Sequence, residues 1–461
     1  MTPTAQGDRK SRVEKLLSVF TEVQAGEGGR VLLLALNIFL IFTAYYIIKP
    51  VREALILSGG GAELKSYASA GQAVLLLLVF VPLYGRLASR VSRRRLINSV
   101  NIFFISNLLL FYVLAQLELN LGLAFFLWVG IFNLMVPALF WSFANDVYTV
   151  AQGKRLFVLV AFGASLGAIA GSWVTGRLIE PFGVYQLLLV SSGLLGVALL
   201  LTNSVERNSV AVDGSEATDV AGLDDVSTAE PDTQGMGDEN AFRLVIKHRY
   251  LLLIALLVLF LNWVNTTGEY ILGRTVAEFA STEAARAAGD VGFDRDAFMT
   301  GYIGKFYADF FTGVNILGVL VQLFLVSRIL KYLGVRVAML ILPFIAVGGY
   351  LLLIFFPILT VVRWAKTAEN ATDYSLQNTV RHALFLPTNR EQKYKAKQAI
   401  DTFFQRAGDV FSALLVYVGV HHLQLGIKGF AVANLVLVAV WIALALAIGK
   451  EYVRRTGEQR G

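Results

Sequence analysis

The feature that most constrains this chain is a stretch of roughly twenty apolar residues that recurs along nearly its whole length. Coiled as a helix, ~20 apolar residues match the ~30 Å hydrocarbon core of a bilayer. Unpaired backbone groups are costly in that medium, so the stretches read as spanning helices rather than barrel strands. Counting apolar runs between charged breaks predicts twelve spans, near 30–56, 66–86, 96–116, 120–145, 155–178, 182–203, 250–273, 300–327, 336–356, 358–380, 398–420 and 428–449. Composition agrees: 56% of the 461 residues are hydrophobic and 16% charged, more apolar than a water-soluble core requires.

Charge sorts the connecting loops. Basic residues gather at 86–95, 154–155, 328–336 and 390–397, alternating with loops such as 118–120 and 180–183 that lack the excess. The positive-inside rule puts the basic loops and both termini in the cytosol, so a multi-pass protein of a bacterial inner membrane is expected. The net charge of +7 is then a topology signal embedded in a lipid-bound chain, and neither nucleic acid nor an obligate protein partner is expected. Met1 to Glu27 has no apolar core followed by a small-residue cleavage site and reads as a cytosolic tail. Cysteine is absent and only four histidines are present, which removes disulfides, thiolate sites and thiol nucleophiles; no metal and no cofactor are expected. The sequence has no Gly-x4-Gly-Lys-Ser/Thr loop and no Ser/His/Asp cluster, so it is not expected to be an enzyme or to drive transport by its own ATP hydrolysis.

Residues 205–242 are rich in Asp, Glu, Ser, Thr and Gly and are expected to form a disordered acidic cytosolic linker. On either side lie two six-span blocks, 28–204 and 243–452, with tails at 1–27 and 453–461. An ungapped alignment from Ala35–Leu36 and Ala255–Leu256 places Lys49 of span one and Glu269 of span seven at the same depth. The basic loop from Gly85 to Arg95 after span two likewise has a counterpart from Arg328 to Arg336 after span eight. The expected fold is an all-α membrane protein with twelve transmembrane helices in two pseudo-symmetric six-helix bundles. The Gly85 loop resembles the Gly-x3-charged-Arg-x-x-Arg-Arg loop of the major facilitator superfamily, without its acidic position, which implies a major facilitator-like fold.

An ionisable group near mid-bilayer costs at least ~2.5–3.5 kcal/mol, so each needs a partner, a wet cavity or an escape to the interface. In span one, Lys49 and Arg52 flank Pro50, which is free to kink the helix, and Glu53 follows. Either the two cations face a cavity and bind an anionic group, or they snorkel to outer headgroups with Glu53 neutralising Arg52. Cations on the outer side run against the positive-inside bias, which favours the cavity. Glu269, late in span seven, either forms an inter-bundle pair with Lys49 that breaks and reforms, or neutralises it statically. In span ten Arg363, Lys366, Asn370, Asp373 and Gln377 recur at steps of three and four beside Glu369, a polar stripe suited to an aqueous pathway or to a helix lying on the bilayer surface. Hydropathy alone would discard this span; the six-plus-six correspondence retains it. Asp146 closes span four at the cytosolic end, where it gates the mouth or caps a solvated loop. Gly163, Gly167 and Gly171 form a ridge that lets a neighbouring helix approach closely.

At these residues the sequence resembles the ATP/ADP translocase family, nucleotide exchangers of plastids and obligate intracellular bacteria with a major-facilitator-like fold. Phe140 to Asp146, followed by Gly153 to Phe157, resembles the family's aromatic-Trp-x-Phe-Ala-Asn-Glu and Ala-Lys-Arg-Phe stretches. The region ending at Glu269 resembles its Asn-Leu-Val-Glu, and Lys49 falls at its span-one lysine. Asp373 to Arg381 resembles its Lys-Tyr-Ser-Leu-Phe-Asp-Pro-Thr-Lys, and Lys395 to Asp401 is also similar. Three departures stand out: Asp146 replaces Glu, Arg381 and His382 replace a Lys-Glu pair, and Asp373 occupies a basic position. A phosphate tail prefers cations, so the resemblance implies a nucleotide-transporter frame with an altered charge pattern. It implies a secondary active antiporter of ATP, ADP or related anionic solutes working by alternating access. Lys49, Arg52, Lys366, Arg381 and Asn370 would bind the anion, and Glu269, Asp146 and Asp373 would gate or couple. Two other readings stay open: a proton-coupled facilitator with Glu269 or Asp373 as proton carrier, and a non-transporting membrane scaffold or sensor.

Overall fold

The computed structural model describes residues 10–19, 21–80, 82–83, 86, 91–216, 241–288, 293–389 and 391–457. Among the described residues every regular element is helical: α1 (Arg12–Leu17), α2 (Gly28–Leu75), α3 (Arg93–Ala115), α4 (Gly122–Val147), α5 (Val150–Phe182), α6 (Gln186–Glu216), α7 (Ala241–Lys247), α8 (Arg249–Ala287), α9 (Arg295–Val321), α10 (Ser327–Phe355), α11 (Leu359–Thr372), α12 (Asn378–Ala383), α13 (Lys397–Ala399), α14 (Gln405–His421) and α15 (Ile427–Thr456). Nine helical segments among the described residues are long and apolar enough to cross a membrane. On α3, Phe104 and Leu108 are fully buried, while Ile102, Phe103, Leu110 and Val113 on other faces are more than half exposed. A helix apolar all round suits lipid on its outer face.

Two of the nine segments, Gly28–Phe80 and Arg295–Phe355, hold 53 and 61 residues, more than twice what one crossing needs. Each breaks at a glycine: Gly61 has φ 71° and ψ −177°, and Gly334 has φ 72° and ψ 171°. A side chain disfavours positive φ, so glycine is the residue that can turn a helix back there. Both breaks fall in gaps predicted between spans. Pro50 does not mark a break; it lies inside α2, whose backbone departs from helical geometry at Gly61.

The charged tenth segment is α11, a π-helical turn at Asp373–Gln377, and α12 in succession. Lys366, Glu369 and Asn370 are buried, the opposite of a helix lying on a bilayer with its charges in water. Helix α6 continues to Glu216, into the expected linker, whose residues 217–240 lie outside the described residues, as do 1–9 and 458–461 of the tails and 87–90 of the first basic loop.

The chain divides into two compact units, one of Met1–Val51, Arg86–Leu119 and Trp128–Gln234, the other of Arg52–Gly85, Asn120–Leu127 and Gly235–Gly461. In the first unit the glycine ridge of α5 packs on α2: a Cβ built on Gly163, Gly167 or Gly171 would lie 2.4 Å from the carbonyl oxygen of Ala35, Phe39 or Thr43. Asn37 Nδ2 donates to the Ala198 carbonyl (2.8 Å) and to Thr202 Oγ1 (2.7 Å), fastening α2 to α6. The N-terminal segment is also tied down. Glu14 accepts from the amides of Ser11 (2.7 Å) and Gly26 (2.7 Å), and Arg155 binds Glu27 (2.9 Å). The Ser11 amide, with those of Gly26 and Gly28, holds the Glu14 carboxyl below its ordinary range against the opposing effect of desolvation. Burial would raise Glu27, but its bonds to Arg155 and the Gln24 amide leave it lowered.

In the second unit α8 packs against α14 and α15, and α11 packs against α8, α9 and α10. A Cβ on Gly408 would meet the Trp263 amide nitrogen at 2.8 Å and the Leu259 carbonyl at 2.9 Å, so α14 and α8 touch backbone to backbone. Asp409 there accepts from Asn262 Nδ2 and Thr266 Oγ1, both at 2.8 Å. Asn434 Nδ2 of α15 donates to the Val264 carbonyl at 3.1 Å.

Candidate functional site

A short stretch of α8, from Val264 to Glu269, organises the polar core of the second unit. Gly268 leaves the helix surface bare, and a Cβ there would sit 2.5 Å from Tyr350 Oη and 3.0 Å from Lys366 Nζ. Through that gap Lys366 Nζ reaches Asn265 Oδ1 (2.9 Å) and Glu369 Oε1 (2.9 Å), and approaches Glu269 Oε1 (3.7 Å). Asn370, one residue beyond Glu369, donates to Glu269 Oε1 at 3.0 Å. Tyr350 Oη lies 3.3 Å from Glu369 Oε2.

The pairing continues along α2. Lys65 Nζ lies 3.7 Å from Glu269 Oε2 and 2.7 Å from Glu53 Oε2, above the Tyr307 ring (5.2 Å to its centroid). Arg52 closes on Glu53, its Nε donating to Oε1 at 3.0 Å. The result is a chain of alternating charge: Arg52, Glu53, Lys65, Glu269, Lys366, Glu369. A unit-charge pair at ~4 Å gains about 4 kcal/mol at an effective dielectric of ~20, while desolvation costs several kcal/mol per ion. A complete chain is therefore roughly balanced in stability, whereas removing one member strands its neighbour. Chemically, the arrangement holds three cations in reach of one another and masks each with a carboxylate.

Of the residues singled out by sequence, Lys366, Asn370, Glu269 and Arg52 meet in this chain. Lys366, expected to bind an anion, serves here as a buried hub joining α8 to α11. Lys49 lies in the first unit, buried, with Nζ 4.9 Å from the centroid of the Tyr46 ring and 5.9 Å from that of Tyr45. Tyr45 in turn stacks on Phe132, 6.0 Å between centroids. Arg381 donates to Asp401 Oδ1 (2.8 Å), which also holds Lys397 through Oδ2 (2.5 Å). Asp373 sits half-buried at the start of the π-helical turn, and Asp146 is exposed at the end of α4. Lys65, Tyr350 and Asp409 escaped sequence reading. Lys65 falls at the edge of a predicted loop, where a charge reads as solvated, and only the folded path of α2 carries it into the core.

These features define a multi-pass, all-helical membrane protein, and solved transporters share its fold. The nucleoside transporter NupG superposes with a TM-score of 0.58 at 15% identity, covering 93% of this chain and 100% of that one. A POT family transporter in complex with 5-aminolevulinic acid gives 0.58 at 12% identity, covering 92% and 96%. At the level of sequence the chain is similar to ADP,ATP carriers. The family model described as TLC ATP/ADP transporter matches residues 6–117. ADP,ATP carrier protein 1 of Chlamydia trachomatis is 24% identical, covering 95% of this chain and 92% of that protein. Its counterpart in Chlamydia muridarum is 23% identical (95% and 91%), and ADP,ATP carrier protein 5 of Rickettsia typhi is 21% identical (90% and 91%). The matched relatives are carriers, not enzymes, in keeping with the expectation drawn from motif content.

Proposed function

We propose that this protein is a secondary active transporter of nucleotides, an ATP/ADP-type antiporter that works by alternating access in a bacterial inner membrane with both termini cytosolic. Twelve crossings result if each arm around Gly61 and Gly334 is one span and the α11–α12 rod is another. The observation that carries the proposal is the alternating charge chain in the second unit, built on helices read as membrane spans. So many ionisable groups inside apolar helices are costly and are retained where a polar cargo passes. The names of the relatives supply the cargo: ATP and ADP.

In this reading Lys49, on its aromatic shelf in the first unit, binds the anion, as do Arg52, Lys366, Asn370 and Arg381 in the second. Glu269, Asp146 and Asp373 exchange partners as the two access states interconvert. Labelled ATP and ADP uptake into proteoliposomes, with and without internal nucleotide and under an imposed pH gradient, tests it. Uptake stimulated by internal nucleotide is expected. Uptake of another solute that follows the pH gradient, with no nucleotide exchange, would replace this reading with a proton-coupled facilitator.

A further inference from the structure

Glu269 differs from the other members of the charge chain. It approaches its two lysines at 3.7 Å each, beyond hydrogen-bonding distance, and among the described residues its hydrogen bond comes from Asn370. It is also the most open of the six, with 23% of its side chain exposed against 15% for Arg52, 8% for Lys65 and 2% for Lys366. Each flanking lysine, by contrast, is anchored on its far side, Lys65 by Glu53 at 2.7 Å and Lys366 by Glu369 and Asn265 at 2.9 Å. Rotating Glu269 away therefore leaves two cations fixed in position. Its two oxygens now face one lysine each, Oε2 toward Lys65 and Oε1 toward Lys366.

We propose that Glu269 is a displaceable internal counter-ion, and that Lys65 and Lys366 together form the seat for the oxyanion end of a cargo that takes its place. The proposal rests on the transport reading above and adds Lys65 as a binding residue. An anion with at least two oxygens, such as a phosphate or a carboxylate, reproduces the bridging contacts that Glu269 gives up. It cannot bind beside a Glu269 that stays in place, because two anionic groups at that spacing repel. Cargo and carboxylate thus compete for the same pair of lysines. The empty carrier stays charge-compensated there, and binding drives the carboxylate toward new partners.

The test is anion binding by the full chain in lipid nanodiscs, using pyrophosphate, ADP and succinate as probes in calorimetric titrations. For the anion that binds, Glu269→Gln should tighten affinity about tenfold or more by removing the competitor, and Lys65→Gln should weaken it about tenfold. Lys65→Arg, which keeps the charge, should bind within a few-fold of the unaltered protein and shows that the site tolerates substitution. Weaker or unchanged binding in Glu269→Gln, full affinity in Lys65→Gln, or no binding of any probe by Glu269→Gln overturns the proposal. If succinate alone follows the pattern, the counter-ion proposal stands and the nucleotide reading falls. If ADP binds the unaltered protein but Glu269→Gln gives no gain, the nucleotide reading stands and the counter-ion proposal falls.

Discussion

Lys366→Met is the sharpest test of the idea that the charge chain is balanced only when complete. Lys366 is 2% exposed and Glu369 6%, so water cannot screen the carboxylate once its partner is gone. The substitution leaves Glu369 with Tyr350 at 3.3 Å, and Glu269 with Asn370 at 3.0 Å and Lys65 at 3.7 Å. Stranding a buried charge in this way costs about 3–5 kcal/mol. For a chain of 461 residues that lowers the thermal midpoint by roughly 3–5 °C. The assay is thermal unfolding of the purified protein in nanodiscs. Lys366→Met/Glu369→Gln should regain a large part of the loss, because the second change removes the stranded charge. A loss under about 1 kcal/mol in the single variant, or a double variant no more stable than the single one, would refute the reasoning.

Other consequences follow from the packing and the termini. Gly167→Ala places a Cβ 2.4 Å from the Phe39 carbonyl oxygen, so α5 must move off α2 at a cost of about 1–3 kcal/mol. Gly193→Ala, with nothing within 4 Å, should be neutral or mildly stabilising in the same thermal assay. Asp409→Ala removes the acceptor shared by Asn262 and Thr266 and should cost about 1–3 kcal/mol, most of it recovered in Asp409→Asn. Because Glu14 and Glu27 are held below their ordinary range when folded, their contribution is present above about pH 4.3 and is lost as the pH falls through the lowered values. Hydrogen exchange at the Gly26 amide, which donates to Glu14, should therefore remain protected at neutral pH and speed up beyond the intrinsic trend under strongly acidic conditions.

The parts legible in the sequence are those governed by local rules. Bilayer thickness alone marks the spans, and the Gly163–Gly167–Gly171 spacing announces a close helix contact because only a missing Cβ permits one. Lys366, Asn370 and Glu269 stood out singly because a charged or polar group in an apolar helix needs a reason. Their linkage did not, since nothing in local spacing joins Glu53 and Lys65 to Glu269, Lys366 and Glu369, which are hundreds of residues away. The breaks at Gly61 and Gly334 fall in gaps that hydropathy placed between spans, but the turning residue itself was not singled out. Pro50 is the stronger breaker by propensity, yet a membrane helix accommodates it, whereas a turn with positive φ selects glycine. Asp409 was not singled out, because its partners Asn262 and Thr266 lie more than 140 residues away.

The most direct measurement is labelled ADP uptake into proteoliposomes preloaded with unlabelled nucleotide, compared with empty vesicles, for the unaltered protein, Glu269→Gln and Lys65→Gln. A nucleotide exchanger whose cargo competes with Glu269 for Lys65 and Lys366 gives uptake that depends on internal nucleotide and falls sharply in both variants. Uptake indifferent to internal nucleotide, or undiminished when either residue is replaced, would contradict it.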